Sequence, residues 1–171
     1  MTQAPDQAPV PRVPGSSAKG DTGAAMFGRD ELDSLPGRTF PGGSFLISGP
    51  EDDRMRDVVG APPRQADVAH PIWLFAAPQR ALGITIDEFF AWCGSSSAEG
   101  PMLGETRLTM PRPLRVGRNY AVSGRIVAVQ RKEGRRAGTF DIVTFELQLA
   151  ERGSGDGGWQ ARTGFVFPRR S

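Results

Sequence analysis

The sequence predicts an α+β fold, and two observations carry that prediction. Near the middle of the chain, Ile72, Trp73, Leu74, Phe75, Ala76 and Ala77 form a segment that is apolar all round, the character of a helix enclosed by other structure. Beyond residue 100 the chain consists of segments that alternate apolar with polar residues, joined by glycine-rich or charged connections. An unbroken succession of strands after one central helix differs from the strand–helix–strand alternation of a parallel sheet. The expected class is therefore α+β, with the strands packed against that helix.

Taken in order, residues 1 to 28 are dominated by proline, alanine, glycine and polar side chains. They bury too little apolar surface to offset the entropy of ordering, so a disordered tail is expected. Pro9, Pro11 and Pro14 admit either a docking peptide or a merely solvated segment. A first strand is expected over Thr39 to Ile47, with Gly42 and Gly43 marking a bulge or bend. Ser48-Gly-Pro-Glu51 has the form of a capping box with proline in the first turn. It opens a short helix whose apolar face is Met55, Val58 and Val59, ended by Gly60 and Pro62. Residues 61 to 69 form a loop.

The central helix is expected over His70 to Leu82. Pro71 fits its first turn, Pro78 removes a helical hydrogen bond and kinks or restarts it, and Gly83 closes it. Thr85-Ile-Asp-Glu88 is a second capping box, for a short helix running through Trp92 and stopping at Gly94. Strands then cover Thr106 to Met110, Tyr120 to Gln130, Phe140 to Leu149 and Trp159 to Phe167. Arg131 to Gly138 and Glu151 to Gly158 are the hairpin connections.

At 171 residues, 38% of them hydrophobic, the chain suits one domain plus a tail. A net charge of +2, with no aromatic interleaving or reader motif, argues against nucleic acid as a partner. Cys93 is the sole cysteine and His70 the sole histidine, so no disulfide, metal site or cofactor is expected. The N-terminus has neither the basic nor the apolar region of a secretory signal, and no apolar run approaches the roughly 20 residues of a membrane span. Cytoplasm is the expected location.

Three features in sequence order, His70-Pro71 at a helix start, Gly100 to Gly104 at a strand entry and Pro-Leu-Arg-Val-Gly at Pro113 to Gly117, resemble a MaoC-type hotdog domain. The domain is expected over residues 37 to 169. The resemblance implies a hotdog fold, a curved antiparallel sheet wrapped around a central helix, that pairs as a homodimer or as a heteromer with a second MaoC-like subunit. It implies a thioester of coenzyme A or of acyl carrier protein as substrate, hydrated or dehydrated, and lodged at the pair's interface with its oxygen on an amide of the helix N-terminus. Here Ile72 or Trp73 would supply that amide, since Pro71 has none. Helix N-termini do present unpaired N–H groups and a positive dipole end, which stabilise the enolate-like charge formed when a proton leaves the α-carbon. The same amides are also, more simply, solvated helix-start groups.

Hydration of a 2-enoyl thioester further needs a base and an acid. The family's Asp-x4-His, written around Asn-Pro-x-His ahead of the helix, has no counterpart here. That segment offers Asp52, Asp53, Asp57 and Asp67 but no other histidine than His70. Asp67 and His70 either meet across the helix start as a rearranged catalytic pair, or Asp67 caps the helix and His70 lies in its first turn. A run of cations includes Arg112, Arg115, Arg118, Arg125, Arg131, Lys132, Arg135 and Arg136. Arg112, Arg115 and Arg118 are candidates for a coenzyme A phosphate or an acidic carrier protein, the alternative being a solvated hairpin. Cys93 reads as a nucleophile or as a buried inert thiol. Asp87 and Glu88 read as thioesterase-like carboxylates or as parts of the capping box. The expected function is an acyl-thioester hydratase- or dehydratase-type subunit, the substrate-binding half that needs a catalytic partner. A non-enzymatic acyl-binding or scaffolding hotdog is the alternative, and a thioesterase a further one.

Overall fold

The computed structural model describes residues 27–136, 138–154 and 157–169, so all of the expected tail except Phe27 and Gly28 lies outside the described residues. The strands are β1 (Gly43–Ile47), β2 (Met102–Thr109), β3 (Arg118–Gly134), β4 (Gly138–Glu151) and β5 (Trp159–Arg169). They form one antiparallel sheet in the order β1-β3-β4-β5-β2. The helices are α1 (Arg29–Asp33), α2 (Gly49–Val59), α3 (Trp73–Arg80) and α4 (Ile86–Trp92), with a 3₁₀ turn at Ser97–Glu99. Helix α3 packs against β1, β4 and β5. This is the α+β hotdog architecture that the sequence predicts.

Both capping boxes mark helix starts, though only the second closes in full. Ser48 Oγ accepts the Glu51 N–H at 3.3 Å, and Gly60 ends α2 in the left-handed region at φ 65. Thr85 Oγ1 accepts the Glu88 N–H at 3.1 Å while Glu88 Oε2 takes the Thr85 N–H at 2.7 Å. The central helix is shorter than its apolar pattern. Its entry is a tight turn in which Trp73 N–H bonds to His70 O at 3.1 Å and Leu74 N–H to Pro71 O at 3.0 Å. The helix therefore begins at Trp73, not at His70. It continues across Pro78 and stops at Arg80, where Ala81 N–H turns back to Pro78 O at 3.2 Å.

Strand β1 is shorter than the alternation over 39–47. Thr39 forms only an isolated bridge to Arg125, and the bend comes at the expected glycines. Gly42, at φ 74, donates its N–H to Leu82 O at 2.8 Å, and a Cβ there would lie 2.5 Å from the Val122 oxygen. Only glycine lets the chain pass between β3 and the turn after α3. Strands β3 and β4 extend past their expected ends, because Arg131 to Gly134 pair onward to Gly138 instead of forming the connection.

The core has two lobes. One joins Leu74 and Ala77 of α3 to Ile47, Tyr120, Leu149 and Trp159. The other joins Leu32 of α1 and Phe89 and Phe90 of α4 to Phe40, Ile126, Phe145 and Phe167, and its aromatic rings meet mostly edge to face. Burying each such side chain stabilises by about 2–3 kcal/mol relative to leaving it in water.

Fully buried Asp141 ties the two ends of the described chain together. It accepts from Arg131 Nε at 2.7 Å and from Arg169 Nε at 2.7 Å. Arg169 passes on to the carbonyls of Cys93 and Gly94, at 2.6 and 2.7 Å, and Arg131 to that of Phe27 at 2.9 Å. Burial pushes the Asp141 carboxyl up, but the hydrogen bonds from Arg131 and Arg169 outweigh it and hold the group below the usual carboxylate range.

Strand β2 stands apart, since every one of its residues is exposed. It pairs with β5 on one side only. Yet Leu103 lies opposite Phe165, Thr106 opposite Thr163 and Leu108 opposite Ala161, so these side chains share the concave, core-side face. Leu103 and Leu108 remain 48% and 44% exposed there.

Candidate functional site

The site is built where the chain enters α3. Residues 67–69 run antiparallel to the turn at Leu114 to Val116. Ala69 N–H bonds to Leu114 O at 2.9 Å and Val116 N–H to Asp67 O at 2.8 Å, with a β-bridge between Val68 and Arg115. The Pro113–Gly117 turn is anchored beneath by fully buried Leu114 and by Tyr120, whose hydroxyl accepts the Arg115 N–H at 2.9 Å. Burial pushes the Tyr120 phenol up. Arg112 lies over the Trp159 ring at 4.2 Å, and Trp159 Nε1 donates to the Arg112 carbonyl at 2.7 Å.

The lacing fixes where each candidate residue goes. Asp67 and Arg115 form an ion pair at the surface. His70 turns its ring onto the helix start, where Nδ1 accepts the Ile72 N–H at 3.2 Å. No hydrogen bond joins Asp67 to His70. Asp67 is thus engaged sideways, by the turn, and does not cap the helix. Both expected oxyanion donors have internal partners as well, Ile72 in the His70 ring and Trp73 in the His70 carbonyl.

Beneath this entry lies a group the sequence reading did not single out. Asp52 is fully buried, and its Oδ1 accepts the His70 N–H at 2.6 Å and the Trp73 indole N–H at 2.8 Å. Its Oδ2 accepts Arg56 Nε at 2.7 Å. Arg56 donates onward to the carbonyls of Pro62 and Val68, at 3.1 and 3.0 Å. Burial pushes the Asp52 carboxyl up, but the bonds from the His70 amide, Arg56 and Trp73 outweigh it and hold it below the usual range. The available signal was the Asp52–Arg56 spacing, four apart on one helix face.

Trp73 is 2% exposed and committed to Asp52 through its indole, and Val68 is held in the bridge to Arg115.

Beside the helix start a cleft of about 260 Å³ is lined by Pro62, Pro63, Val68, Pro71, Met110 and Pro113, together with the polar Arg56 and Gln65. Its lining is mostly apolar and, being proline-rich, stiff. The run of cations does not form one patch around it. Arg112 lies over Trp159, Arg115 is paired to Asp67, and Arg118 is paired to Glu151 at 3.5 Å. Arg131 is taken up by Asp141, and Lys132 lies near the far end of β3, about 45 Å from Arg118 at the rise of a strand. Cys93 is fully buried, its thiol pushed up to about 12 by burial. Asp87 hydrogen-bonds Ser97, and Glu88 closes its capping box. Among the described residues no group of three or more His, Cys, Asp or Glu is placed to hold a metal, and no helix is long and apolar enough to cross a membrane.

No family model and no curated protein sequence matches the chain. Solved structures do. The HadBC 3R-hydroxyacyl-ACP dehydratase complex of Mycobacterium tuberculosis is 15% identical with a TM-score of 0.59, over 77% of this chain and 96% of that one. The ChsH1–ChsH2 complex of the same organism is 13% identical with a TM-score of 0.61, over 84% and 92%. A MaoC-like dehydratase from Rhodospirillum rubrum is 19% identical with a TM-score of 0.57, over 82% and 97%. At such identities the likeness lies in the fold. The chain has the hotdog fold of the MaoC-like dehydratases.

Proposed function

We propose that this chain is the acyl-thioester-binding subunit of a hydratase- or dehydratase-type hotdog complex, with the acid–base pair supplied by a partner. The observation that carries this reading is buried Trp73, held by Asp52 in a helix entry that is otherwise fully laced; set on its proline, His70-Pro71-Ile72-Trp73 falls on the family's Asn-Pro-x-His, which puts Val68 and Trp73 where the family carries its Asp and His. The neighbouring folds support a hydratase or dehydratase, and two of them are complexes, which supports a partner subunit. A second hotdog subunit would cover the open β2 edge, whose unpaired backbone and exposed leucines are otherwise a liability in water.

In this reading the acyl thioester lies in the cleft beside Pro71 and Met110. Its oxygen takes the Ile72 N–H once the His70 ring turns away. Arg112, Arg115 and Arg118 hold the phosphates of coenzyme A or of a carrier protein's prosthetic arm, where guanidinium geometry suits phosphate. Calorimetric titration of the full chain with octanoyl-CoA tests the reading. Saturable binding is expected, weakened about tenfold in Arg115→Ala by loss of a charge-assisted contact. Absence of binding to any acyl-CoA contradicts it.

A further inference from the structure

The outer face of the sheet, turned away from α3, sorts its side chains into three rows of different chemistry. In β4 and β5 the core draws on one alternate set of residues, among them Val143, Phe145, Leu147, Ala161 and Phe167. The other set points outward. Ile142, Val166 and Met102 lie side by side across β4, β5 and β2. The first two are half-buried and Met102 is 56% exposed. Two residues along β4, Ala128, Thr144 and Gly164 make a second row, with Glu105 at its β2 end. Two residues further, Arg125, Glu146, Arg162 and Arg107 cross the same four strands. The middle row is a trough. A Cβ added at Gly164 would meet Glu105 Cγ, Thr144 Oγ1 and Ile142 Cγ2 at 3.6, 3.7 and 3.8 Å, so these side chains stand around an open floor.

The third row is out of electrostatic balance. Arg125, Arg162 and Arg107 are exposed, with only Glu146 among them and Glu105 beyond. Arg162 and Arg107 stand directly opposite each other, an arrangement that destabilises a sheet. Among the described residues no ion pair engages any of the three arginines, nor Glu146 or Glu105. Glu146 takes only a long bond from Gln148 Nε2, at 3.5 Å. The dimensions are those of a helix. Rows two residues apart are separated by about 6.7 Å, which puts the apolar and cationic rows about 13 Å apart. An α-helix with its side chains is about 10–12 Å across. Four strands span about 14 Å, the length of about ten helical residues.

We propose that this outer trough docks an amphipathic helix of a partner protein, apolar along one side and acidic along the other. The apolar side rests on Ile142, Val166 and Met102. The helix crosses Ala128 and Gly164, where no large side chain intervenes, and its carboxylates meet Arg125, Arg162 and Arg107. Guanidinium forks match carboxylates in geometry as well as charge. A basic helix would be repelled by the same row, and an apolar one would desolvate the arginines without a counter-charge. The trough lies across the sheet from α3, so the proposal does not depend on thioester binding.

The test is fluorescence anisotropy of the full chain with labelled helical peptides of about 14 residues, about four turns. One peptide carries leucines on one face and glutamates along the adjoining flank; the other replaces those glutamates with lysines. In wild type the glutamate peptide binds saturably and the lysine peptide at least about tenfold more weakly. The double variant Arg107→Glu, Arg162→Glu reverses that order, at two exposed positions that leave the core intact. Gly164→Val, whose Cβ meets only ordinary contacts, fills the trough and weakens the glutamate peptide at least about tenfold. Equal affinity for the two peptides, or an unchanged order in the double variant, overturns the proposal. Self-association of the full chain that the double variant abolishes gives the face to a second copy and overturns it as well.

Discussion

Asp52 Oδ1 accepts the backbone N–H of His70 at 2.6 Å, and the same oxygen accepts the indole of Trp73 at 2.8 Å. A carboxylate from α2 thus fixes where α3 begins. The two residues are 18 apart in sequence, and the bond between them orients the entry to the central helix.

Removing Asp52 leaves a buried guanidinium, an indole and an amide without their acceptor. Asp52→Ala is expected to cost about 3–5 kcal/mol, the range for breaking a buried charge pair. Denaturant unfolding at neutral pH measures it. A loss below about 1 kcal/mol would mean the entry is held elsewhere.

The same carboxylate makes stability depend on pH. Its folded value is held below the unfolded one, as is that of Asp141. Each contributes stability that is present above about pH 4, the unfolded carboxyl value, and is lost as pH falls through the lower folded value. Unfolding free energy should therefore be flat from pH 7 to about 5 and fall steeply below about 4. In Asp52→Asn that acid limb should be shallower, and an unchanged slope would count against the assignment.

Gly94 carries a different kind of constraint. It sits at φ 61, and a Cβ there would lie 2.0 Å from the Phe27 ring. Gly94→Ala should destabilise by about 2 kcal/mol or more, from left-handed strain and overpacking together. Phe27→Ala in the same chain should recover the steric part only, so the two substitutions are non-additive. Additive losses in a urea-melt cycle would show that Phe27 does not pack on Gly94.

Cys93, fully buried and with a thiol near 12, should resist aromatic disulfide reagents in the native state. Labelling should follow global unfolding. Prompt stoichiometric labelling of folded protein would contradict its position.

Much of the fold was legible because it is written locally. The alternation through β3, β4 and β5, the capping residues Ser48 and Thr85, and the bend at Gly42 each follow from neighbours in sequence. Helix α1 was missed because Arg29–Asp33 is one turn with a single buried residue, Leu32. The start of α3 was placed early because Pro71 suits a first helical turn and a tight entry turn equally well. The site was less legible. Asp67 meeting Arg115, Asp52 meeting His70, and Arg131 meeting Asp141 and Phe27 are pairings across distant segments or strands. Charge and spacing name the candidates, but only the folded sheet selects the partners.

The central claim is that this chain seats an acyl thioester without an acid–base pair of its own, and enoyl-CoA hydration measures it most directly. The isolated full chain, mixed with crotonyl-CoA and longer 2-enoyl-CoAs, should bind them yet turn over no faster than the blank. His70→Ala should bind at least as well as wild type, because it frees the Ile72 amide, and should lose about 1 kcal/mol of stability or less. Addition of a second hotdog chain carrying Asp-x4-His should start hydration. Hydration by the isolated wild-type chain that falls about a hundredfold or more in His70→Ala, with folding unchanged, would contradict the claim and assign catalysis to Asp67 and His70.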